Sequence, residues 1–468
     1  MNKGVITTLT MVFGGIFVLL MAGLLGFIML QHRGSLQRVA LQESLHIAEA
    51  GLEYYKWRLL HFPNDLQDGT GQPGPYEHSY EDATSKVEGT FSLDITGTTQ
   101  CGEVVGAVIT SSGWVSQFLN ISRTVSATYT RSSVADFAFL LNDNVWAGAD
   151  REIKGPYHSN GGIRMDGENK SLVISAKETW LCTESFGCDP PETKAGVFTS
   201  ANGNEELFSF PVPPFDFAGI TLDLATIKNL TQPIPEGQGQ GLYFAPSSSE
   251  MGYHVVLNQT NIQVYEVTGV QDIFAYSSEE GWHWEDSEIT SENLVGTYAV
   301  PSSCSTAFFE DTIWLEGDLQ GKVTIVAADL VDPGTEANVW LPGDIEYSTT
   351  DGTDGLLLLS QHNALIPLNS PDSLELQGIF VAQTGHFGRN HYDCGWYPAD
   401  CIKSNLEMFG SVVSDGRVGT KWSYSWGGIA SGYLQRENIY DPMQTLSPPP
   451  FLPLSSQEFE LHGWEEVQ

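Results

Sequence analysis

Basic side chains are scarce in this 468-residue chain: 21 Lys and Arg stand against 58 Asp and Glu, a formal net charge of −37. Nucleic acid and anionic lipid surfaces are recognised through basic patches, so neither is a main partner of the folded part. Charge of both signs is also modest, at 17%. That is below the ordinary level of about 25%, so the negative balance reflects missing Lys and Arg more than surplus acid. Catalytic signatures are missing too. There is no G-x-S-x-G nucleophile elbow and no H-E-x-x-H zinc helix. No C-x-x-C occurs, which speaks against a zinc ribbon or a thioredoxin-like redox site. Hydrophobic residues at 41% and aromatics at 11% are enough for a sizeable core, and 48 Gly with 23 Pro suit many short strands and turns.

The charge is absent most completely near the start. From Val5 to Leu30 no charged residue occurs. As a helix these residues span about 39 Å at ~1.5 Å each, enough to cross a hydrocarbon core of about 30 Å with some tilt. A cleaved secretory signal has a shorter apolar region, about 7–15 residues, so the stretch reads as a retained transmembrane helix. No proline occurs between Gln31 and Leu60, and Pro63 is the first breaker. Leu41, Leu45, Ala48, Leu52, Tyr55 and Leu59 recur at steps of three and four, which predicts one apolar stripe packed on a downstream domain. One helix is therefore expected from about Val5 to His61, membrane-embedded over 5–30 and amphipathic over 31–62.

Two features of this segment resemble the type IV pilin superfamily. One is the short basic leader ending in glycine, Lys3-Gly4, directly before the apolar helix. The other is the run from Glu43 to Arg58, which resembles the helix of minor pilins of the PilX type and of related pseudopilins. The resemblance implies a leader, residues 1–4, cut between Gly4 and Val5 by a prepilin peptidase. It also implies neighbouring pilin-like subunits as partners, and an amino terminus on the cytoplasmic side. Major pilins carry glutamate at the fifth mature position, where this chain has Leu9. That departure points away from a major subunit.

The six cysteines are Cys101, Cys182, Cys188, Cys304, Cys394 and Cys401. Cys182 and Cys188 enclose a short loop, as do Cys394 and Cys401. Pairing both leaves Cys101 with Cys304, although six cysteines allow fifteen connectivities. Disulfides point to an oxidising space outside the cytoplasm.

The rest of the chain reads as mainly β. Alternation around Lys86–Ile95, Val104–Thr110 and Thr124–Tyr129 predicts a pilin-like sheet over 63–135. Beyond it, segments such as Ile313–Ala327, Leu374–Gly385 and Leu406–Gly416 repeat an apolar strand, a glycine and another strand. That rhythm predicts a right-handed parallel β-helix-like solenoid over 136–214 and 305–425, with a β-sandwich as the alternative. Residues 215–304 are expected to form an α+β insertion, with a short helix near Ile220–Leu230 and strands near Gly252–Leu257 and Ile262–Val267. Residues 426–468, with Pro448-Pro-Pro450, are expected to be an extended Pro-rich tail.

Candidate ligand sites are few. Asp351 and Asp354, in a Gly-containing turn, offer oxygen ligands for calcium but lack the twelve-residue EF-hand pattern; no other cofactor is called for. His386, His391 and Asp393 lie close together in sequence, and His158 sits in a Gly-rich turn. Trp282 and Trp284 could stack on sugar rings or pack beneath the insertion. The function these features imply is a non-enzymatic, membrane-anchored surface protein of the minor-pilin or pseudopilin kind, acting in pilus assembly or tip adhesion to glycans or other surfaces. The alternatives are an anchored carbohydrate-active β-helix enzyme and an envelope structural protein outside any filament.

Overall fold

A computed structural model describes residues 3–467 except 221–223, 303, 333 and 425–426. The chain forms two compact units, one of residues 1–98, 107–129 and 461–468, the other of residues 99–106 and 130–460.

The first unit is a helix on a sheet. Helix α1 runs unbroken over Lys3–His61. Strands β1 (Tyr76–Glu81), β2 (Val87–Gln100), β3 (Glu103–Val115) and β4 (Ser122–Ser133) follow, and the strand Leu454–Val467 closes a five-stranded antiparallel sheet beside β4. An ion pair between Arg123 and Glu466 ties this last pair of strands. β2 alternates as a half-buried strand should, with Phe91 and Leu93 inward.

The buried stripe of α1 is Ala40, Ser44, Ile47, Ala48, Leu52, Tyr55 and Leu59. Leu45 is half-buried and Leu41 lies 36% exposed, off the stripe. Its register is set by small residues rather than by the large ones. A Cβ added at Gly113 of β3 would lie 2.4 Å from both Ala48 N and Ser44 O, so helix backbone and strand backbone nearly touch there. Gly51 sits as close to Ser111. The Tyr129 hydroxyl donates to Leu52 O at 3.1 Å, and Ser44 Oγ to Ile121 O at 3.1 Å.

The last turn of α1 is held by charge. The Arg58 guanidinium donates to Asp65, and its Nε also lies 3.3 Å from the almost fully buried Asp68. Asp68 in turn accepts from the Tyr54 hydroxyl and contacts His78. Asp65 is held below the ordinary carboxylate range: burial pushes it up, but hydrogen bonds from Gln67 and Arg58 outweigh that.

The second unit is dominated by one large sheet with parallel ladders. Its main ladder stacks strands in a spatial order that differs from chain order. Starting from Phe208–Ser209, it passes Val173–Ser175, Tyr157–Ser159 and Phe139–Leu141. It then crosses to the end of Ile402–Ser414, and continues through Ser373–Ala382, Gly355–Ser360, Lys322–Ala327 and Thr306–Phe309 to Leu242–Phe244. Residues therefore stack in columns. Val173, Tyr157, Phe139, Val412, Phe380, Leu358, Ile325 and Ala307 form one inward column of the core. The neighbouring column, including Leu140, Val413, Val381, Leu359, Val326 and Phe308, faces the other way and is buried under the helix Leu224–Thr231 and Leu452.

This order changes several expected boundaries. The segment 139–209 stacks on the strands Ile402–Ser414 and Ile429–Ile439, not on the strands that follow it in sequence. Phe208–Ser209 ends the ladder on one side and Leu242–Phe244 on the other; residues 221–223 of the expected helix lie outside the described residues, and the helix Leu224–Thr231 lies between those two strands in sequence. The Lys228–Glu310 ion pair, with the Tyr243 hydroxyl on the same fully buried carboxylate, anchors it. Within the expected insertion, Leu242–Phe244 and Tyr253–Gln259 belong to the parallel ladders; Asn261–Ser277 pairs antiparallel with Tyr253–Gln259 on one side and with Gly281–Ala299 on the other. The expected extended tail is corrected as well. Ile429–Ile439 continues a parallel ladder, Met443–Leu446 is a helical turn and Leu454–Val467 is a strand. The prolines cannot donate, but their carbonyls are used: Pro448 O accepts from Gln100, Pro450 O from Thr324 and Pro453 O from Val134.

Three disulfides join Cys101 to Cys304, Cys182 to Cys188 and Cys394 to Cys401.

Candidate functional site

Two surfaces stand out, one in each unit. In the first, α1 leaves its apolar half uncovered. From Ile6 to Leu30 the large side chains, Phe13, Phe17, Leu20, Leu25 and Phe27 among them, are exposed along the helix. The segment is long and apolar enough to cross a membrane. In water, such a length of exposed Leu, Ile, Val and Phe would associate with any apolar phase on offer. Gly4 and Val5 lie in helical backbone at its beginning.

The second surface is built from parts distant in sequence. The hairpin pairs Phe274 with Trp284 and Tyr276 with Trp282 across its strands. The Cys394–Cys401 loop brings in Trp396, whose ring centroid lies 5.1 Å from Phe274 and 5.5 Å from Trp282. Tyr276 also meets Trp422 edge-on at 5.6 Å. The hairpin is fixed to its neighbours by main chain: Tyr276 N donates to His391 O and His391 N to Tyr276 O, while Phe274 N donates to the Tyr397 hydroxyl. The rings pack on one another yet remain open, with Trp284 66%, Trp396 56% and Trp282 46% exposed. Contiguous exposed aromatics of this kind mark contact sites rather than cores.

Beneath the patch lies a buried carboxylate, Glu285, accepting from the Tyr392 hydroxyl at 2.5 Å and from Asn390 Nδ2 at 3.0 Å. Burial pushes its pKa up despite those bonds. Close by, Asp286 is raised by burial and then by the neighbouring Asp272. The patch is thus aromatic with an acidic surround, suited to an uncharged or cationic contact and not to a polyanion.

The other predicted sites are spent on local structure. Asp354 accepts from Gly321 N and Thr349 N, and Asp351 from Thr349 and Thr353, so both carboxylates close turns. Among the described residues no group of three or more His, Cys, Asp or Glu is placed to hold a metal. His386 contacts Glu279 at 2.7 Å, and His391 shares a hydrogen bond with Ser431. His158 Nε2 shares a hydrogen bond with Asn160, and burial lowers its pKa. An acidic cleft of about 430 Å³ lies between Asp143, Glu279, His362 and Asp415.

Trp282 and Trp284 are legible as candidates in the sequence, whereas Phe274, Tyr276, Trp396 and Trp422 join them only through the fold. Only Trp396 carried a signal, its position inside a stapled loop.

No known protein family matches the chain, and no curated protein matches it. Among solved structures it is similar to the crystal structure of the competence-associated pilin ComZ from Thermus thermophilus, at 14% identity over 92% of this chain and 97% of that one, with a TM-score of 0.32.

Proposed function

We propose that this chain is a membrane-anchored, pilin-like surface protein without enzymatic activity. The observation that carries the reading is α1: a helix bare and apolar over its first half and packed on an antiparallel sheet over its second. In this reading residues 1–4 are a leader cut between Gly4 and Val5, and residues 5–30 lie in the membrane and later against the helices of other pilin-like subunits. Leu9 in place of an acid fits a minor or tip-associated subunit. Three disulfides fit an extracytoplasmic body, with the amino terminus inside. The ladder order and its stacked columns support a β-helix-like body, and the aromatic surface supports adhesion to neutral glycans, whose C–H faces stack on indoles.

The test is fractionation. Surface filaments sheared from cells should carry the protein at low copy number. Recovery only from the membrane pellet, with filaments assembled normally, would overturn the filament role.

A further inference from the structure

We propose that Arg151, Arg436 and Tyr157 enclose a buried site for a small monovalent anion, occupied by chloride in solution. The parallel ladder between Arg151–Lys154 and Ile429–Ile439 pairs Arg436 directly with Arg151, so two guanidinium groups lie side by side. Both are buried, at 5% and 8% exposure. Like charges directly opposite repel, and more so out of water.

One carboxylate answers them, and it is already committed. Asp150 accepts two hydrogen bonds from Arg436 Nη2, at 2.8 and 3.0 Å, and one from Arg436 Nε at 3.1 Å. It also accepts from Lys421 Nζ at 3.0 Å. Arg151 makes a single bond, from Nη2 to Thr420 Oγ1 at 3.2 Å, on an oxygen that Arg436 Nη1 approaches as well. Arg151 Nε and Nη1 are buried without a partner, and so is the Tyr157 hydroxyl. Tyr157 is fully buried and its pKa is pushed up to about 12, so it keeps its proton and can donate. The Phe139 ring covers the Arg151 guanidinium at 5.5 Å and stacks on Tyr157.

The unmet groups are therefore N–H and O–H donors beside an excess of positive charge. A water molecule would accept from one or two of them but leave that charge in place. A monovalent anion meets both needs, and its small size suits an interior position. The setting sharpens the contrast, since the chain has only 21 basic residues and places three of them, Arg151, Lys421 and Arg436, around one acid, Asp150.

The test uses the full chain in detergent. Thermal unfolding is followed while chloride replaces gluconate at constant ionic strength. Tm is expected to rise with chloride and to level off, as mass action on a single native-state site requires. Arg151→Met should abolish the rise. Since that variant can fail to fold, crystals of the unaltered chain grown in bromide give an independent answer. An anomalous peak within hydrogen-bonding distance of Arg151 Nε or Nη1 supports the site. A Tm indifferent to the anion, or a peak-free position holding only water, overturns it.

Discussion

Replacing Gly113 by alanine should break the union of α1 with its sheet. In an ordinary strand the change is favourable by roughly 0.5–1 kcal/mol, because glycine loses more freedom on folding. Here the new carbon would sit 2.4 Å from Ala48 N, 2.4 Å from Ser44 O and 3.0 Å from Ala48 Cα. Carbon prefers about 3.5–4 Å, so helix and strand must part by about 1 Å, and the obstacle is main chain that cannot swing aside. Separation loosens Ala48 and Leu52 and stretches the Ser44–Ile121 and Tyr129–Leu52 hydrogen bonds. Overpacking of this kind costs about 1–3 kcal/mol, which outweighs the strand gain. Thermal unfolding of the detergent-solubilised chain, with hydrogen exchange read over residues 40–61, should show a lower Tm and faster exchange in that segment. Gly419→Ala, where an added Cβ meets nothing within 4 Å, serves as the control and should change stability by no more than about 0.5 kcal/mol. A G113A chain as stable as its parent, with unchanged protection in the helix, would refute the close approach.

Three further expectations concern the second unit. The Cys101–Cys304 disulfide closes a separation of 203 residues and Cys182–Cys188 one of 6. On the chain-entropy account their removal as serine pairs should cost about 5 and about 2 kcal/mol, and equal losses in denaturant titrations would contradict that account. His254 bridges Glu292 at 2.8 Å and Glu316 at 3.3 Å. Burial opposes its charge, but the two carboxylates win and raise its pKa. Its stabilisation is therefore complete below the ordinary histidine pKa and fades as pH rises through the raised value. His254→Gln should thus destabilise at pH 5 and leave stability nearly unchanged at pH 9, as melts at the two values would show; a loss independent of pH would exclude the bridge. Trp284→Ala, at an exposed ring, should leave Tm within about 1 °C while weakening retention on neutral polysaccharide, since one stacked aromatic is worth about 0.5–1.5 kcal/mol. Retention equal to the parent's would remove the aromatic surface from the adhesion reading.

What the chain shows of its fold before folding depends on the range of the interaction. An uncharged run of this length can be only a few things, so the extent of α1 is plain in the sequence. The face it buries is less so. Counting large apolar residues starts the stripe at Leu41, whereas the contact is centred on Ala40, Ser44, Ala48 and Gly51, residues whose value is that they are small. The strand pair at Tyr253–Gln259 and Asn261–Ser277 is local and visible. The stacking of Phe139–Leu141 on Val412–Ser414, some 270 residues apart, leaves no local trace. Leu454–Val467 reads as tail because four prolines, 448–450 and 453, directly precede it and it carries several exposed acids. The aromatic surface was half visible for the same reason: Trp282 and Trp284 are neighbours in sequence, but Trp396 and Trp422 reach them only through the fold. The facing of Arg151 by Arg436 is likewise a fact of register alone.

The most direct test of the central claim is the amino-terminal sequence of the protein recovered from cell envelopes. Processing and anchoring as a pilin-like subunit require it to begin at Val5, with residues 5–30 retained. A protein that begins at Met1, or beyond Leu30 after loss of the apolar segment, would contradict the account.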